Sequence, residues 1–234
     1  MLGTGLVSLL YPQRCAVCRD FGEEIICSRC RNAFVPLSDA VCKRCGVELD
    51  PETSRGPLCS DCRGLAAYHF TWARARGRFD GTLRTAIHRL KYDGRRPVAR
   101  VLGEWMRGED DSGLIPPRPP DVVVPVPLHW LRRWQRGFNQ SLLLAQAYVG
   151  DRDWPIEPDI LRRTRNTRPQ VMLPAEQRAA NVRNAFAVTD ADRVKGRRVL
   201  IVDDVLTTMH TVIECSRVLK RAGAAEVYVA AVAR

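Results

Sequence analysis

Eight of the nine cysteines in this 234-residue chain lie between positions 15 and 62, as four Cys-x-x-Cys pairs. The pairs are Cys15/Cys18, Cys27/Cys30, Cys42/Cys45 and Cys59/Cys62. Each pair places two sulfur atoms on one side of a tight knuckle, and two facing knuckles supply four thiolates to a tetrahedral zinc ion. Since cysteine fills every position and none is left for water, the spacing predicts two structural zinc sites.

Neighbouring pairs in the chain are expected to share one zinc ion. A cross-braced arrangement, in which the first and third pairs share a metal, uses the same residues and stays open, as does an iron–sulfur cluster. A segment this small has little core of its own and needs the metal to fold. Gly46, directly after one knuckle, is expected at a positive φ. The ninth cysteine, Cys215, lies in an apolar helical pattern and is expected in the core.

A second group of reactive residues follows an apolar run near the other end of the chain. Residues 199–211 read VLIVDDVLTTMHT, so two adjacent carboxylates, Asp203 and Asp204, precede a hydroxyl-rich loop that opens a helix. Free N–H groups at a helix N terminus, together with threonine hydroxyls, form a cradle for phosphate. Carboxylates just before it can accept hydrogen bonds from sugar hydroxyls or bind Mg²⁺. The pattern favours a site for a phosphorylated sugar.

The net charge of +11 belongs wholly to residues 67–234, because residues 1–66 hold eight basic and eight acidic groups. Such a field attracts polyanions, including nucleic acid. The densest basic groups are Arg132, Arg133 and Arg136, interleaved with Trp130, Trp134 and Phe138, and a second cluster of Arg162, Arg163, Arg165 and Arg168 on an expected loop. This mix of cations and flat rings suits single-stranded DNA. For the three rings themselves, however, we expect the alternative, in which they form the core-facing side of a helix.

The surrounding elements alternate between strands and helices. Apolar runs over DVVVPVP, RRVLIVDDV and EVYVAAVA predict strands, and helical patterns predict two helices that meet at Asp93-Gly94, one over SLLLAQAYV and one that ends at Gly223. HWLRRWQRGFNQ is expected to be a basic loop. The alternation predicts an α/β fold with a parallel sheet, whose ligands bind at the carboxyl ends of the strands. We expect a zinc ribbon over 1–66, a second domain over 67–234 and no membrane insertion.

The acidic pair and its loop resemble the phosphoribosyl pyrophosphate (PRPP) signature of type I phosphoribosyltransferases. The resemblance implies that Asp203 and Asp204 hold the ribose hydroxyls, and that the loop of Thr207, Thr208, Met209, His210 and Thr211 holds the 5′-phosphate, with Mg²⁺ accompanying PRPP in an active enzyme. It also places Val126, Pro127, Leu128 and His129 in the pyrophosphate-binding loop. That family's loop usually continues Thr-Thr-Gly, so Met209 predicts a narrower cradle and weaker PRPP binding.

Several spaced motifs narrow the resemblance further. The motif PVPLHxxRxxxRGFNQ begins at Pro125, and later elements carry Arg163, Thr167 and Gln170, then Arg178, Asn181, Val182, Ala185 and Phe186. With the four Cys-x-x-Cys pairs, these motifs are similar to those of the ComF family of competence proteins. This implies a cytoplasmic protein that handles incoming single-stranded DNA with partners from the DNA-uptake machinery. Arg132, Arg133, Arg136, Arg163, Arg165 and Arg168 would then meet nucleic-acid phosphates.

Three functions stay open on the sequence alone. The first is a protein with a PRPP site that binds single-stranded DNA and assists DNA uptake. The second is an active phosphoribosyltransferase of nucleotide metabolism, in which a nitrogen nucleophile displaces pyrophosphate. The third is a non-catalytic zinc-ribbon adaptor on a degenerate transferase fold.

Overall fold

A computed structural model describes residues 13–50, 52, 56–64, 68–108, 113–167 and 174–234. The strands are β1 (Trp72–Gly77), β2 (Val122–Pro125), β3 (Leu161–Arg163), β4 (Phe186–Val188), β5 (Arg198–Val205) and β6 (Glu226–Ala233). The helices are α1 (Ser28–Asn32), α2 (Ser60–Gly64), α3 (Gly81–Tyr92), α4 (Val98–Arg107), α5 (Trp130–Arg136), α6 (Gln140–Val149), α7 (Ala175–Val182) and α8 (His210–Arg221).

Four strands form a parallel sheet in the order β1-β6-β5-β2, and β3 pairs with β4 in a separate antiparallel sheet. Every residue of β2 is buried, and only the two end residues of β5 are partly exposed. Continuous apolar strands of this kind are typical of a parallel sheet that is covered on both faces. The predicted α/β fold with a parallel sheet is confirmed.

The two faces of the sheet bury separate cores. Successive side chains of a strand point to opposite faces, so Leu200 and Val202 pack with helices α3, α4 and α6, whereas Val199 and Ile201 pack with α8. Cys215 of α8 is fully buried in this second core, as the sequence predicts. Helices on both faces leave the carboxyl edge of the sheet as the place where loops from several strands meet.

The cysteine-rich segment contributes to both cores. Cys15 and Cys30 pack in the core of α3, α4 and α6, whereas Cys42, Cys45 and Cys62 pack in the core of α8. The two halves of the segment therefore lie against opposite faces of the same sheet.

Between the two halves, the segment runs along the open edge of β1. The N–H of Leu37 donates to the carbonyl of Arg76 at 3.2 Å, and the N–H of Arg78 donates to the carbonyl of Val35 at 2.9 Å. An open strand edge is a template for pairing with other chains, and this segment covers it. The predicted boundary between 1–66 and 67–234 stays a prediction, since residues 65–67 lie outside the described residues.

The predicted helices on either side of Asp93-Gly94 are confirmed as α3 and α4, and Gly94 has a φ of +66°. The expectation of a loop over HWLRRWQRGFNQ is wrong, because residues 130–136 form α5. His129 caps this short helix by accepting the N–H of Leu131 on Nδ1 at 3.4 Å, and Gly137 ends it in the left-handed conformation.

Two further strands differ from expectation. Strand β1 was not predicted, because its WARARG sequence alternates arginine with small residues. Arg162 and Arg163 lie in β3, paired with β4, and not on a loop. None of the helices in the described ranges is long and apolar enough to cross a membrane.

Candidate functional site

Four cysteines come together at each of two places in the described residues. One group is Cys15, Cys18, Cys27 and Cys30, and the other is Cys42, Cys45, Cys59 and Cys62, with the ligand atoms of each group within 4.8 Å of one another. The sulfur atoms of Cys18 and Cys27 are 3.7 Å apart, as are those of Cys45 and Cys59. Tetrahedral Zn–S bonds of about 2.3 Å require about 3.8 Å between sulfurs. Sequential pairing is confirmed, and the cross-braced alternative is wrong.

The protonation of these thiols also fits a metal. In both groups burial raises thiol pKa values, but at Cys15 and Cys42 backbone N–H donors outweigh burial and lower the pKa to about 6. Burial raises the pKa of Cys30 to about 12 and that of Cys45 to about 11. Four thiolates lie side by side only when a metal ion balances their charge. Zinc ions bound by these two cysteine groups would hold the Cys-x-x-Cys knuckles in place.

Asp203 and Asp204 lie at the carboxyl end of β5 and are only 8% and 5% exposed. The Oδ1 atom of Asp203 accepts hydrogen bonds from Ser141 Oγ at 3.1 Å and from the N–H of Asp204 at 2.9 Å. Burial, followed by repulsion from Asp204, raises the pKa of Asp203 from 3.8 to about 7. Asp203 is therefore protonated through much of the acidic range.

Lys91 at the end of α3 forms an ion pair with Asp204. Its Nζ lies 2.9 Å from Oδ1 of Asp204. Burial lowers the pKa of Lys91, but the Asp204 carboxylate outweighs burial, so the pKa lies above its ordinary value and the ammonium stays charged. Oδ2 of Asp204 is buried without a hydrogen-bond donor among the described residues. A hydroxyl group of a ligand is the kind of donor that this atom fits.

Sequence reasoning missed Lys91 and Ser141. Both residues lie in helices that the sequence predicts. A helical pattern, however, does not show which polar side chain contacts a strand that lies 62 or more positions further along the chain. Ser141 offers one usable signal, because it follows Asn139, which caps α6 by accepting the N–H of Ser141 at 3.1 Å.

The threonine-rich loop follows directly, as predicted. Thr207, Thr208, Met209, His210 and Thr211 line a narrow cavity of about 20 Å³ together with Asp203. This volume holds about one water molecule.

Met209 has a φ of +62° and a ψ of −8°, in the left-handed region where a side chain costs about 1–2 kcal/mol. The glycine that the phosphoribosyltransferase resemblance leads us to expect here would adopt this conformation without strain. Burial, then the charge of Arg178, lowers the pKa of His210, so its imidazole is neutral at pH 7 and adds no positive charge to the loop.

The segment Val126–His129 lies beside this loop at the same edge. It follows β2, which pairs with β5, and the N–H of Val126 donates to the carbonyl of Val202 at 2.9 Å. Asn139 Nδ2 donates to the carbonyl of Val126 at 3.1 Å. The structure thus brings the acidic pair, the threonine loop and Val126–His129 together, while their roles in binding stay predictions.

Helix α5 presents two tryptophans to solvent. Trp130 is 70% and Trp134 is 78% exposed, and Arg133 between them is exposed as well. The expectation that the three rings pack in the core is wrong for these two, since no residue of α5 is buried. It is right for Phe138, which follows the turn at Gly137 and is 8% exposed.

Arg132 and Arg136 lie on the other side of α5 and are partly buried. With Lys91 and Tyr92 they line a cavity of about 480 Å³. Arg132 Nη2 donates to the carbonyl of Thr167 at 2.5 Å, and Arg136 donates to the side chain of Gln140. This basic cavity therefore lies between α5 and the end of α3, where Lys91 also pairs with Asp204.

The second predicted arginine cluster is largely engaged within the fold. Arg163 donates to the hydroxyl of Thr167 and lies over the ring of Phe186, with 5.2 Å to its centroid. Arg165 is exposed, and its Nη1 donates to the carbonyl of Arg183 at 2.8 Å. Arg168 and Gln170 lie outside the described residues. The spacing of Arg163 and Thr167 in the motif is explained by their direct contact.

Comparisons with known proteins agree with both halves of the chain. The family model described as a double zinc ribbon domain matches residues 6–63, and the model described as a phosphoribosyl transferase domain matches residues 159–234. The first match covers both cysteine groups. The second covers the acidic pair and the threonine loop.

Relatives extend over nearly the full length. The chain is 35% identical to the DNA utilization protein YhgH of Escherichia coli K12 and 31% identical to competence protein F of Haemophilus influenzae, in each case over 94% of this chain and 96% of the relative. It is 25% identical to competence protein ComFC of Bacillus subtilis, over 87% of this chain and 81% of that protein. The double zinc ribbon, the phosphoribosyltransferase-like sheet and these full-length relatives show that the chain belongs to the ComF family.

Proposed function

We propose that this protein handles single-stranded DNA during DNA uptake, and that it carries a site for PRPP or ribose 5-phosphate beside its DNA-binding face. The names of its relatives, which refer to competence and to DNA utilization, support a role in natural transformation. It would act in the cytoplasm, with partners from the uptake machinery. The observation that carries the proposal is the exposure of Trp130 and Trp134 on one face of α5.

The sugar site draws on the carboxyl edge. Asp203 and Asp204 would accept hydrogen bonds from ribose hydroxyls, and the orphaned Oδ2 of Asp204 supports this use. Thr207, Thr208 and Thr211, with the amides that begin α8, would hold the 5′-phosphate. Val126, Pro127, Leu128 and His129 would hold the pyrophosphate. These assignments rest on the position of each segment at the ends of neighbouring strands.

Mg²⁺ would accompany the pyrophosphate of PRPP and neutralise part of its charge. The carboxylate oxygens of Asp203 and Asp204 are the hard ligands that Mg²⁺ prefers. Lys91, however, already balances one of the two carboxylates. Ribose 5-phosphate, which lacks a pyrophosphate, should therefore bind to this site without added Mg²⁺.

The DNA site draws on α5. Nucleobases stack on exposed aromatic rings with about 1–3 kcal/mol per base, without preference for sequence. Trp130 and Trp134 lie one turn apart, and Arg133 is placed to meet a phosphate between two stacked bases. Arg132 and Arg136, with Lys91 in the basic cavity, would add positive charge on the other side of the helix.

Fluorescence titration with labelled single-stranded DNA tests the proposal. We expect Trp130→Ala with Trp134→Ala to weaken binding by about 2–6 kcal/mol if both rings stack. Phe21→Ala is the matched control, because Phe21 is also an exposed ring, at 62%, but belongs to the zinc ribbon. Titrations at about 50 mM and about 200 mM salt separate stacking from phosphate contacts.

An equal loss of DNA affinity in the control and in the double variant would overturn the DNA site. So would the absence of DNA binding at moderate salt.

Ribose 5-phosphate and PRPP are titrated separately by calorimetry, with and without Mg²⁺. Release of pyrophosphate in the presence of a nitrogen nucleophile would instead establish an active phosphoribosyltransferase. Failure of both titrations would favour the adaptor function.

A further inference from the structure

The guanidinium of Arg234 lies between the second cysteine group and the threonine loop. Its Nη1 donates to the carbonyl of Cys45 at 2.9 Å and lies 2.9 Å from Sδ of Met209. Its Nη2 lies 4.0 Å from Sγ of Cys45. One side chain therefore contacts both a knuckle of the second cysteine group and the N-cap residue of α8.

Both ends of this contact are held rigidly. The backbone of Arg234 donates to the carbonyl of Gly77 at 2.9 Å and accepts from the N–H of Phe79 at 2.8 Å. On the knuckle, Gly46 has a φ of +71°, as predicted, and an added Cβ would lie 2.4 Å from the carbonyl oxygen of Ala73. The knuckle therefore lies directly against β1 and cannot shift without disturbing the sheet.

Met209 needs such support. A left-handed methionine is strained, and a strained residue persists only where its surroundings fix it. Met209 is 6% exposed and packs in the same core as Cys42, Cys45 and Cys62. Its carbonyl accepts the N–H of Ile213 at 2.9 Å in the first turn of α8. The thioether contact with Arg234 thus fixes the residue that shapes the phosphate cradle.

We infer that Arg234 is a positioning residue that couples the second zinc site to the phosphate loop. Zinc bound by Cys42, Cys45, Cys59 and Cys62 holds the Cys45 knuckle, the knuckle holds Arg234, and Arg234 holds Met209 in its left-handed conformation. Coupling is reciprocal, so a ligand in the loop also stabilises the zinc site. The ligand part of this inference rests on the proposed sugar-phosphate site, whereas the conformational part does not.

Hydrogen exchange of the zinc-loaded full chain tests the conformational part without any ligand. In Arg234→Gln, the amides of residues 207–213 should exchange about tenfold faster than in the wild type, because the loop opens more easily. Arg74→Gln is the matched control. Arg74 donates to the carbonyls of Cys42 and Lys43 at 3.2 Å in the same cysteine group, and no contact with Met209 is described for it. It should speed loop exchange much less than Arg234→Gln does, because it loosens the knuckle but leaves the contact between Arg234 and Met209 in place.

Met209→Leu provides a second variant if Arg234→Gln does not fold. It removes the sulfur acceptor, keeps the volume, and should speed loop exchange without disturbing the knuckle. Unchanged exchange in both variants, or equal acceleration in Arg74→Gln, would overturn the coupling.

Zinc transfer to a chromophoric chelator tests the reciprocal effect. Arg74→Gln should accelerate the release phase that belongs to the second group. Ribose 5-phosphate should slow that phase at least about fivefold in the wild type and not in Arg234→Gln. If ribose 5-phosphate does not bind, the proposed sugar site fails while the exchange result still decides the coupling. If it binds and slows zinc release equally in both proteins, Arg234 is not the coupling residue.

Discussion

Replacement of Lys91 by methionine tests the electrostatic account of the acidic pair. The side chains of Lys91 and Asp204 are 20% and 6% exposed, so the substitution leaves a carboxylate buried without its counter-charge. Removing one partner of a buried ion pair costs about 3–5 kcal/mol. For a chain of this length, a loss of about 3 kcal/mol lowers Tm by roughly 6–12 °C.

The loss of stability in Lys91→Met should be larger at high pH than at low pH. The pKa of Asp203 is about 7 in the folded protein, above its ordinary 3.8, so its protonated form stabilises the fold at low pH and this contribution is lost as pH rises through about 7. Attraction to Lys91 holds this pKa down, and its removal raises the pKa further. Each further unit by which the pKa of Asp203 rises adds about 1.4 kcal/mol to the loss of unfolding free energy at pH values above that pKa. It adds nothing at pH values below it.

Thermal unfolding of the zinc-loaded wild type and Lys91→Met at about pH 6 and about pH 8.5 measures both effects. Arg89→Met is the control on the same helix, since Arg89 pairs with Asp93 at the surface, where an ion pair contributes only about 0–1 kcal/mol. The same loss at both pH values, or a loss no larger than that of the control, would refute the account of the acidic pair.

Introducing a glycine at position 209 tests the loop, and removing the glycine at position 46 tests the knuckle. Met209→Gly should relieve left-handed strain of about 1–2 kcal/mol and tighten binding of ribose 5-phosphate, measured by calorimetry, and unchanged affinity would contradict the narrow cradle. Gly46→Ala should destabilise the chain by at least about 1 kcal/mol in denaturant unfolding, because the new Cβ meets the carbonyl of Ala73 at a positive φ. Gly22→Ala is its control, with open space around the added methyl group, and an equal effect there would argue against the close approach.

The features that could be predicted from the sequence depend on local spacing. Cys-x-x-Cys pairs bring two sulfurs together within one turn, so the cysteine groups follow from residues that are close in the chain. Asp203 and Asp204 follow an apolar run that could only be a strand, which fixes their place at its end. The glycine at position 46 is likewise determined by the turn that it must make.

Contacts between distant elements could not be predicted in this way. Lys91 meets Asp204 and Arg234 meets Cys45 across 113 and 189 positions of the chain. Such pairs depend on how helices and knuckles dock on the sheet, which a periodic pattern does not encode. The exposure of Trp130 and Trp134 was mispredicted for a related reason, since their four-residue spacing gives a helix face but not what that face packs against.

The positive charge of residues 67–234 is less available to ligands than its size suggests. Arg163 and Arg165 donate hydrogen bonds within the fold, as do Arg132 and Arg136 beside the basic cavity. Arg133 and its two flanking tryptophans face solvent, as do Arg162 and Arg165 of the second cluster. Binding of single-stranded DNA should therefore depend mainly on stacking, with a shallow dependence on salt that corresponds to only a few phosphate contacts.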